Sequence, residues 1–174
     1  MEKIFHILLT GRPRSGKTTL LKKIISKLDN CGGFYTEEVL KDNRRVGFKI
    51  KTIDGKEAIL AGKDIKSKFC LGEYRINIKD LNKVAVKAIK EAIEKNEIII
   101  IDEIGPMELV SEKFKEAVLE AFNSGKRIIG VIHRKNVEFL NNLKRREDVV
   151  VIEVSLDNHQ EILERISNLL FSSL

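Results

Sequence analysis

Between Gly11 and Thr18 the chain reads GRPRSGKT, a full match to G-x-x-x-x-G-K-[ST]. The near-continuous apolar run Ile4 to Leu9 precedes it, and Leu20, Leu21, Ile24, Ile25 and Leu28 follow it at helical spacing. Strand, glycine-containing loop and helix in that order restrict the chain to α/β folds in which the loop wraps an anion. Such a loop must aim consecutive backbone N–H groups inward, through dihedrals open mainly to glycine, which accounts for Gly11 and Gly16. A helix beginning near Lys17 adds its unpaired N-terminal donors and the positive end of its dipole at the same point. Lys17 supplies a cation for β- and γ-phosphate oxygens, and the Thr18 hydroxyl can ligate Mg²⁺. The expected nucleotide-binding stretch is therefore Gly11, Arg12, Pro13, Arg14, Ser15, Gly16, Lys17, Thr18 and Thr19. Arg12 and Arg14 fit phosphate contact and solvated surface equally.

A second stretch, EIIIIDEIGPMEL from Glu97 to Leu109, ends four isoleucines on two carboxylates. The C-terminal end of a central strand is where open α/β sheets bind ligands, so Asp102 and Glu103 fall in the right place. Hydrophobics followed by Asp-Glu are weak evidence alone; downstream of a phosphate loop they form a Walker B pattern. Asp102 is then expected to hold Mg²⁺ through its water, and Glu103 to polarise the water that attacks the γ-phosphate.

The chain has 174 residues, 43% hydrophobic and 33% charged. That suffices for one sizeable core and is short for two domains, so 1–174 is expected to form a single P-loop domain. No run approaches the ~20 apolar residues that span a bilayer, and the start MEKIFHILLTG, acidic at Glu2, does not read as a signal peptide. Cys31 and Cys70 have no metal-type spacing and suit plain thiols in a reducing, cytoplasmic setting. The 32 Lys+Arg against 26 Asp+Glu give a net charge of +6. The cations are scattered among acids without aromatic interleaving, so no nucleic-acid site is evident and a nucleotide suffices as anionic ligand.

The remaining chain reads as alternating elements. The first helix is expected to end at Asp29-Asn30-Cys31-Gly32-Gly33. FYTEEVL, RRVGFKIKTI and KEAILA then alternate with period two, with Asp54-Gly55 as a hairpin turn, which predicts an antiparallel insertion. Lys63 to Ile78 reads either as an edge strand or as a loop over the site. Asp80 is expected to cap a helix with Leu81, Val84, Ala85, Ala88, Ile89, Ala92 and Ile93 on its apolar face. Phe114, Ala117, Val118, Ala121 and Phe122 make another helix face closed by Gly125, and Arg127 to Ile132 a buried strand. That strand ends in His133 and Arg134, candidates for a γ-phosphate sensor, against the plainer reading of a polar strand end. Arg145 and Arg146 read as a solvated charge run more readily than as a lid. VVVIEV and a helix bearing Ile162, Ile166, Leu169 and Leu170 complete the chain.

The set TGRPRSGKTTL, GGFYTEEV, GFKI and IIIIDEIGPMEL, in this order and spacing, resembles the small nucleoside-triphosphatase family of thermophiles, found in animals as a cancer-related nucleoside-triphosphatase. The resemblance implies a RecA-like three-layer α/β/α fold with a mostly parallel central sheet. It further implies Mg²⁺-dependent hydrolysis of ATP, GTP, CTP and UTP to the diphosphate, with slow turnover and no strict base choice, by a protein we expect to be monomeric. Gly11 to Thr18 match the family's phosphate loop, and Asp102, Glu103, Ile104 and Gly105 its second nucleotide-contacting segment. Arg14 departs from the family's usual glycine. Thr36, Glu37 and Glu38 match family residues, and the sequence places them only near a strand end. The alternative is a nucleoside or nucleotide kinase, which needs a second-substrate pocket that the insertion between the motifs could build. A non-catalytic switch is disfavoured by Glu103, because a placed base drains the bound triphosphate.

Overall fold

The computed structural model describes residues 5–171; Ile4, expected in the first strand, lies outside them. In chain order the elements are β1 (His6–Thr10), α1 (Lys17–Ile25), β2 (Cys31–Lys41), β3 (Arg44–Thr52), β4 (Glu57–Gly62), β5 (Cys70–Leu71) and β6 (Tyr74–Ile76). Next, α2 (Ile78–Asp80) runs through a π-helical stretch (Leu81–Val86) into α3 (Lys87–Lys95). They are followed by β7 (Ile98–Ile104), a 3-10 turn (Glu108–Val110), α4 (Glu112–Phe122), β8 (Arg127–Ile132), α5 (Glu138–Lys144), β9 (Val149–Glu153) and α6 (His159–Phe171).

One sheet runs β5-β6-β4-β3-β2-β7-β8-β1-β9. The side from β2 to β9 is parallel, and β3, β4, β6 and β5 extend it antiparallel. The uninterrupted apolar strands follow from helices on both faces. Leu8, Ile99, Ile101, Ile128 and Ile132 pack with α3, α4 and α5 side chains. Their strand neighbours Ile7, Leu9, Ile100, Ile129 and Val131 point the other way, into a second core with Leu20, Leu21 and Ile24 of α1 and Ile162 and Ile166 of α6. The result is the expected three-layer α/β/α sandwich. Within α4, all five residues assigned to the buried face are buried.

The structure corrects the sequence reading at three places. The first helix stops at Ile25, and i→i+3 bonds from Lys27 to Ile24 and Leu28 to Ile25 tighten its exit. Cys31, Gly32 and Gly33, taken for a helix end, already belong to β2. The strand pairs parallel with β7 from Cys31 to Phe34 and antiparallel with β3 from Phe34 to Lys41. The glycines are there for closeness: a Cβ on Gly32 would sit 2.3 Å from Asn96 Oδ1, and one on Gly33, at φ +109°, 2.1 Å from the Ile100 carbonyl oxygen. Gly33→Ala adds a left-handed penalty of ~1–2 kcal/mol and overpacking of ~1–3 kcal/mol, so a loss near 3 kcal/mol in urea denaturation is expected; a loss below about 1 kcal/mol would contradict this account of the β2–β7 junction.

The second correction is the cap: Asn77, not Asp80, starts the long helix, its Oδ1 accepting the Asp80 N–H at 3.2 Å. The third is the helix face itself. Leu81, Ala85, Ala88, Ile89 and Ala92 are buried as expected, but so is Val86, off the i, i+3, i+4 rule. The π turn inserts a residue and rotates the face at that point. The stretch Lys63 to Ile78 supplies the edge hairpin β5–β6. Among the described residues no helix is long and apolar enough to cross a membrane.

Candidate active site

At the C-terminal ends of β1 and β7 the two motifs meet. Leaving β1, Gly11 takes φ +154°, and a Cβ there would sit 2.5 Å from the Val154 carbonyl oxygen. Gly16 adopts φ +84° as α1 begins at Lys17. A Cβ on Gly16 would meet the ring of His159, whose Nε2 donates to the Ser15 carbonyl at 2.8 Å. The start of α6 thus buttresses the loop, a contact across 144 positions that no local pattern announces. Arg14 stands at φ +63°, a left-handed conformation costing a non-glycine residue about 1 kcal/mol, which rationalises glycine as the usual occupant.

Lys17 Nζ donates to the Gly11 and Arg12 carbonyls at 2.9 and 2.8 Å, folded onto the loop it would leave for a phosphate. Burial lowers its pKa, while Glu103 and Asp102 raise it. The Thr18 hydroxyl donates to Asp102 Oδ2 at 2.8 Å, joining phosphate loop and strand β7 by a bond between two hard oxygen donors. Asp102 is 2% exposed. Burial, with the charge of Glu103, pushes its pKa up to about 7 against the pull of Thr18 and Lys17.

Beyond Asp102 the parallel register slips between β7 and β8, so that Ile104 rather than Glu103 faces Ile132. The slip re-aims Glu103 into the cavity. Gly105 makes room for it: a Cβ there would sit 2.7 Å from Glu103 Oε1. Burial raises the Glu103 pKa and Lys17 opposes the rise. A third carboxylate, Glu108 on the 3-10 turn, is 2% exposed. Burial first, then Glu103, drives its pKa well above the ordinary range. By position in the sequence Glu108, like His133, is a reserve candidate for the water-activating base; its burial follows from the 3-10 turn Glu108–Val110.

One cavity collects most of these groups. Gly11, Pro13, Arg14, Gly16, Lys17, Thr18, Thr19, Asp102, Glu103, His133 and Arg134 line it, with Thr36, Glu37 and Glu38 of β2 on its wall. Arg12, Ser15, Ile104 and Gly105 do not line it. Ile104 belongs to the apolar core, and its carbonyl accepts the His133 N–H at 3.0 Å. Burial and the Lys17 charge lower the His133 pKa. Arg146, read as part of a solvated run, instead binds Asp148 through Nε and Nη2, both at 2.8 Å, and lies over Phe122. That cluster sits at the N-terminal ends of β1 and β9, remote from the cavity. Arg145 is also absent from the lining and bonds Asn142.

The profile of a protein family described as NTPase matches residues 6–167. The chain belongs to the nucleoside-triphosphatase family. Among family members, the nucleoside-triphosphatase THEP1 of Thermotoga sp. strain RQ2 is 46% identical over 164 residues, covering 94% of each chain. The crystal structure of THEP1 from Aquifex aeolicus superposes with a TM-score of 0.87 at 36% identity, covering 96% of this chain and 99% of that one. The solution structure of a human cancer-related nucleoside triphosphatase gives a TM-score of 0.82 at 31% identity over 98% and 99% of the two chains. This nucleoside-triphosphatase therefore carries the family's P-loop α/β fold over nearly its whole length, including the antiparallel extension.

Proposed function

We propose that the protein is a Mg²⁺-dependent nucleoside-triphosphatase that hydrolyses ATP, GTP, CTP and UTP to the diphosphate and phosphate with loose base choice. The observation that carries this reading is the 2.8 Å bond from Thr18 Oγ1 to Asp102 Oδ2, with Lys17 and Glu103 in the same cavity. In this reading Gly11 to Thr19 cradle the phosphates, and Lys17 exchanges its two loop carbonyls for β- and γ-phosphate oxygens. Glu103 takes the proton of a water attacking in line, burial making its carboxylate a stronger base than an exposed one. His133 or Arg134 contacts the γ-phosphate from the end of β8.

Paired oxygen donors fit Mg²⁺, which takes few protein ligands and completes its shell with water and phosphate. Among the described residues no cluster of three or more His, Cys, Asp or Glu forms an all-protein metal cage. Thr18 and Asp102 would hold the ion, which when bound neutralises charge on the phosphate oxygens. The Asp102 pKa near 7 has a consequence of definite sign. Below it the carboxyl keeps a proton that the metal must displace, so affinity falls as pH drops. Half-saturating Mg²⁺ for hydrolysis is expected about tenfold higher at pH 6 than at pH 8, and equal values at both would contradict Asp102 as a ligand.

Loose base choice fits the lining, which offers phosphate donors, carboxylates and an apolar wall that any base ring can meet, but no dedicated purine-reading group. Hydrolysis rates for ATP and CTP are expected to agree within about a thousandfold, since a larger ratio needs ~4 kcal/mol of base-specific discrimination. Steady-state rates for the four triphosphates test this. The same reading takes residues 1–174 as one catalytic unit, monomeric and cytoplasmic.

A further inference from the structure

The cavity containing Lys17, Asp102 and Glu103 continues past the phosphate loop. Its volume of about 910 Å³ is at the upper end of the ~300–1,000 Å³ that small-molecule sites span. On the side away from the loop its walls are Phe48 of β3, Leu60 of β4, Leu71 of β5 and Met107. Three of these four come from the antiparallel extension, which the strand, loop and helix of a phosphate site do not require. Water needs no apolar wall to reach a γ-phosphate. A ring does.

Glu108, next to Met107 in the chain, shares this cavity. It is 2% exposed and lines the space. Its Oε2 has no hydrogen-bond partner, and an unpaired buried polar atom is costly unless a ligand completes it. Hydrolysis as described above leaves Glu108 unused. The charge on this side also discriminates among ligands. Its cation, Arg45, is committed to Glu38 Oε1 at 3.1 Å and to the Tyr74 hydroxyl at 2.9 Å. A second phosphate or carboxylate on this side would meet Glu38 and Glu108 beside a cation already paired, since the other lining cations, Arg14, Lys17, Arg134 and Lys135, belong to the phosphate loop and the end of β8; a neutral ring with hydroxyls meets apolar walls and carboxyl acceptors.

We propose that this chamber is an acceptor subsite for a neutral, ring-bearing alcohol of the nucleoside class, and that the enzyme transfers the γ-phosphoryl group to its hydroxyl. The proposal rests on the reading that a triphosphate bound at Lys17 presents its γ-phosphate to Glu103. The acceptor oxygen forms a bond to the γ-phosphorus as the bond from that phosphorus to the β–γ bridging oxygen breaks. The bridging electron pair leaves with the nucleoside diphosphate, and the hydroxyl proton passes to Glu103. Glu108 Oε2 orients the acceptor through a hydrogen bond. Hydrolysis is the same displacement with water in the acceptor's place.

The test uses γ-³²P-labelled ATP and Mg²⁺ with millimolar adenosine, guanosine, cytidine or uridine, resolving labelled monophosphate from inorganic phosphate. With at least one nucleoside, label is expected in the monophosphate at the expense of phosphate. Leu71→Trp, which fills the chamber from the edge hairpin, is expected to lower the transferred fraction of label about tenfold. Label in phosphate alone with all four nucleosides overturns the acceptor subsite and leaves the hydrolase reading intact. Label in monophosphate with each productive nucleoside, and no phosphate released when nucleoside is left out, does the reverse, and label in neither product under any condition overturns both. A folded Leu71→Trp with an unchanged transferred fraction removes the acceptor from this chamber.

Discussion

Lys17→Ala is expected to lower kcat/KM for MgATP by about a thousandfold, on the scale of removing one preorganised donor from developing charge, ~4 kcal/mol. The side chain is half-buried, shares the cavity with Asp102 and Glu103, and feels both of their charges. In the free protein its ammonium is held by two loop carbonyls, at 2.9 and 2.8 Å, rather than by core packing. The variant should therefore fold, with a melting temperature within a few degrees of wild type, since ~1 kcal/mol moves a protein of this size by ~2–4 °C. Unchanged activity with an unchanged melting temperature would remove the phosphate loop from the chemistry. A large fall in melting temperature would instead assign Lys17 a structural role.

Glu103→Gln separates binding from chemistry. Removing the base should slow hydrolysis by about a hundredfold or more while MgATP affinity stays near wild type, because the phosphate cradle and the Thr18–Asp102 pair are untouched. The amide fills the same space against Gly105, so the β7 end need not rearrange. Asp102→Asn should fail differently, weakening Mg²⁺-dependent binding as well as turnover. If Glu103→Gln keeps most of its rate, the base lies elsewhere, and Glu108 and His133 are next in line, since both share the cavity.

The parts of this site that the sequence announces are those in which local geometry and chemistry share a few consecutive residues. The phosphate loop is legible because Gly11, Gly16, Lys17 and Thr18 each answer one requirement of one turn. Asp102 is legible because a run of isoleucines can only be a strand buried on both faces, and the residue after it must surface at the ligand end. Legibility fails where a distant partner decides. Gly32 and Gly33 look like a helix end until Asn96 and the Ile100 carbonyl are set against them. Val86 breaks a helical period because one π turn rotates the face. His159 supports the loop from the far end of the chain. Thr36, Glu37 and Glu38, legible only as one strand, reach the cavity because β2 carries the sheet from its parallel side to its antiparallel side.

The most direct test of the central claim is single-turnover hydrolysis of MgATP in ¹⁸O-labelled water, for wild type and Glu103→Gln, beside a binding titration of each. If the phosphate loop and the β7 carboxylates form one hydrolytic site, wild type releases one phosphate per bound ATP, with the label in phosphate and none in ADP. Glu103→Gln should then bind MgATP about as tightly and release phosphate about a hundredfold more slowly. Bound ATP that yields no labelled phosphate in wild type, or a variant that keeps the wild-type rate, would contradict it.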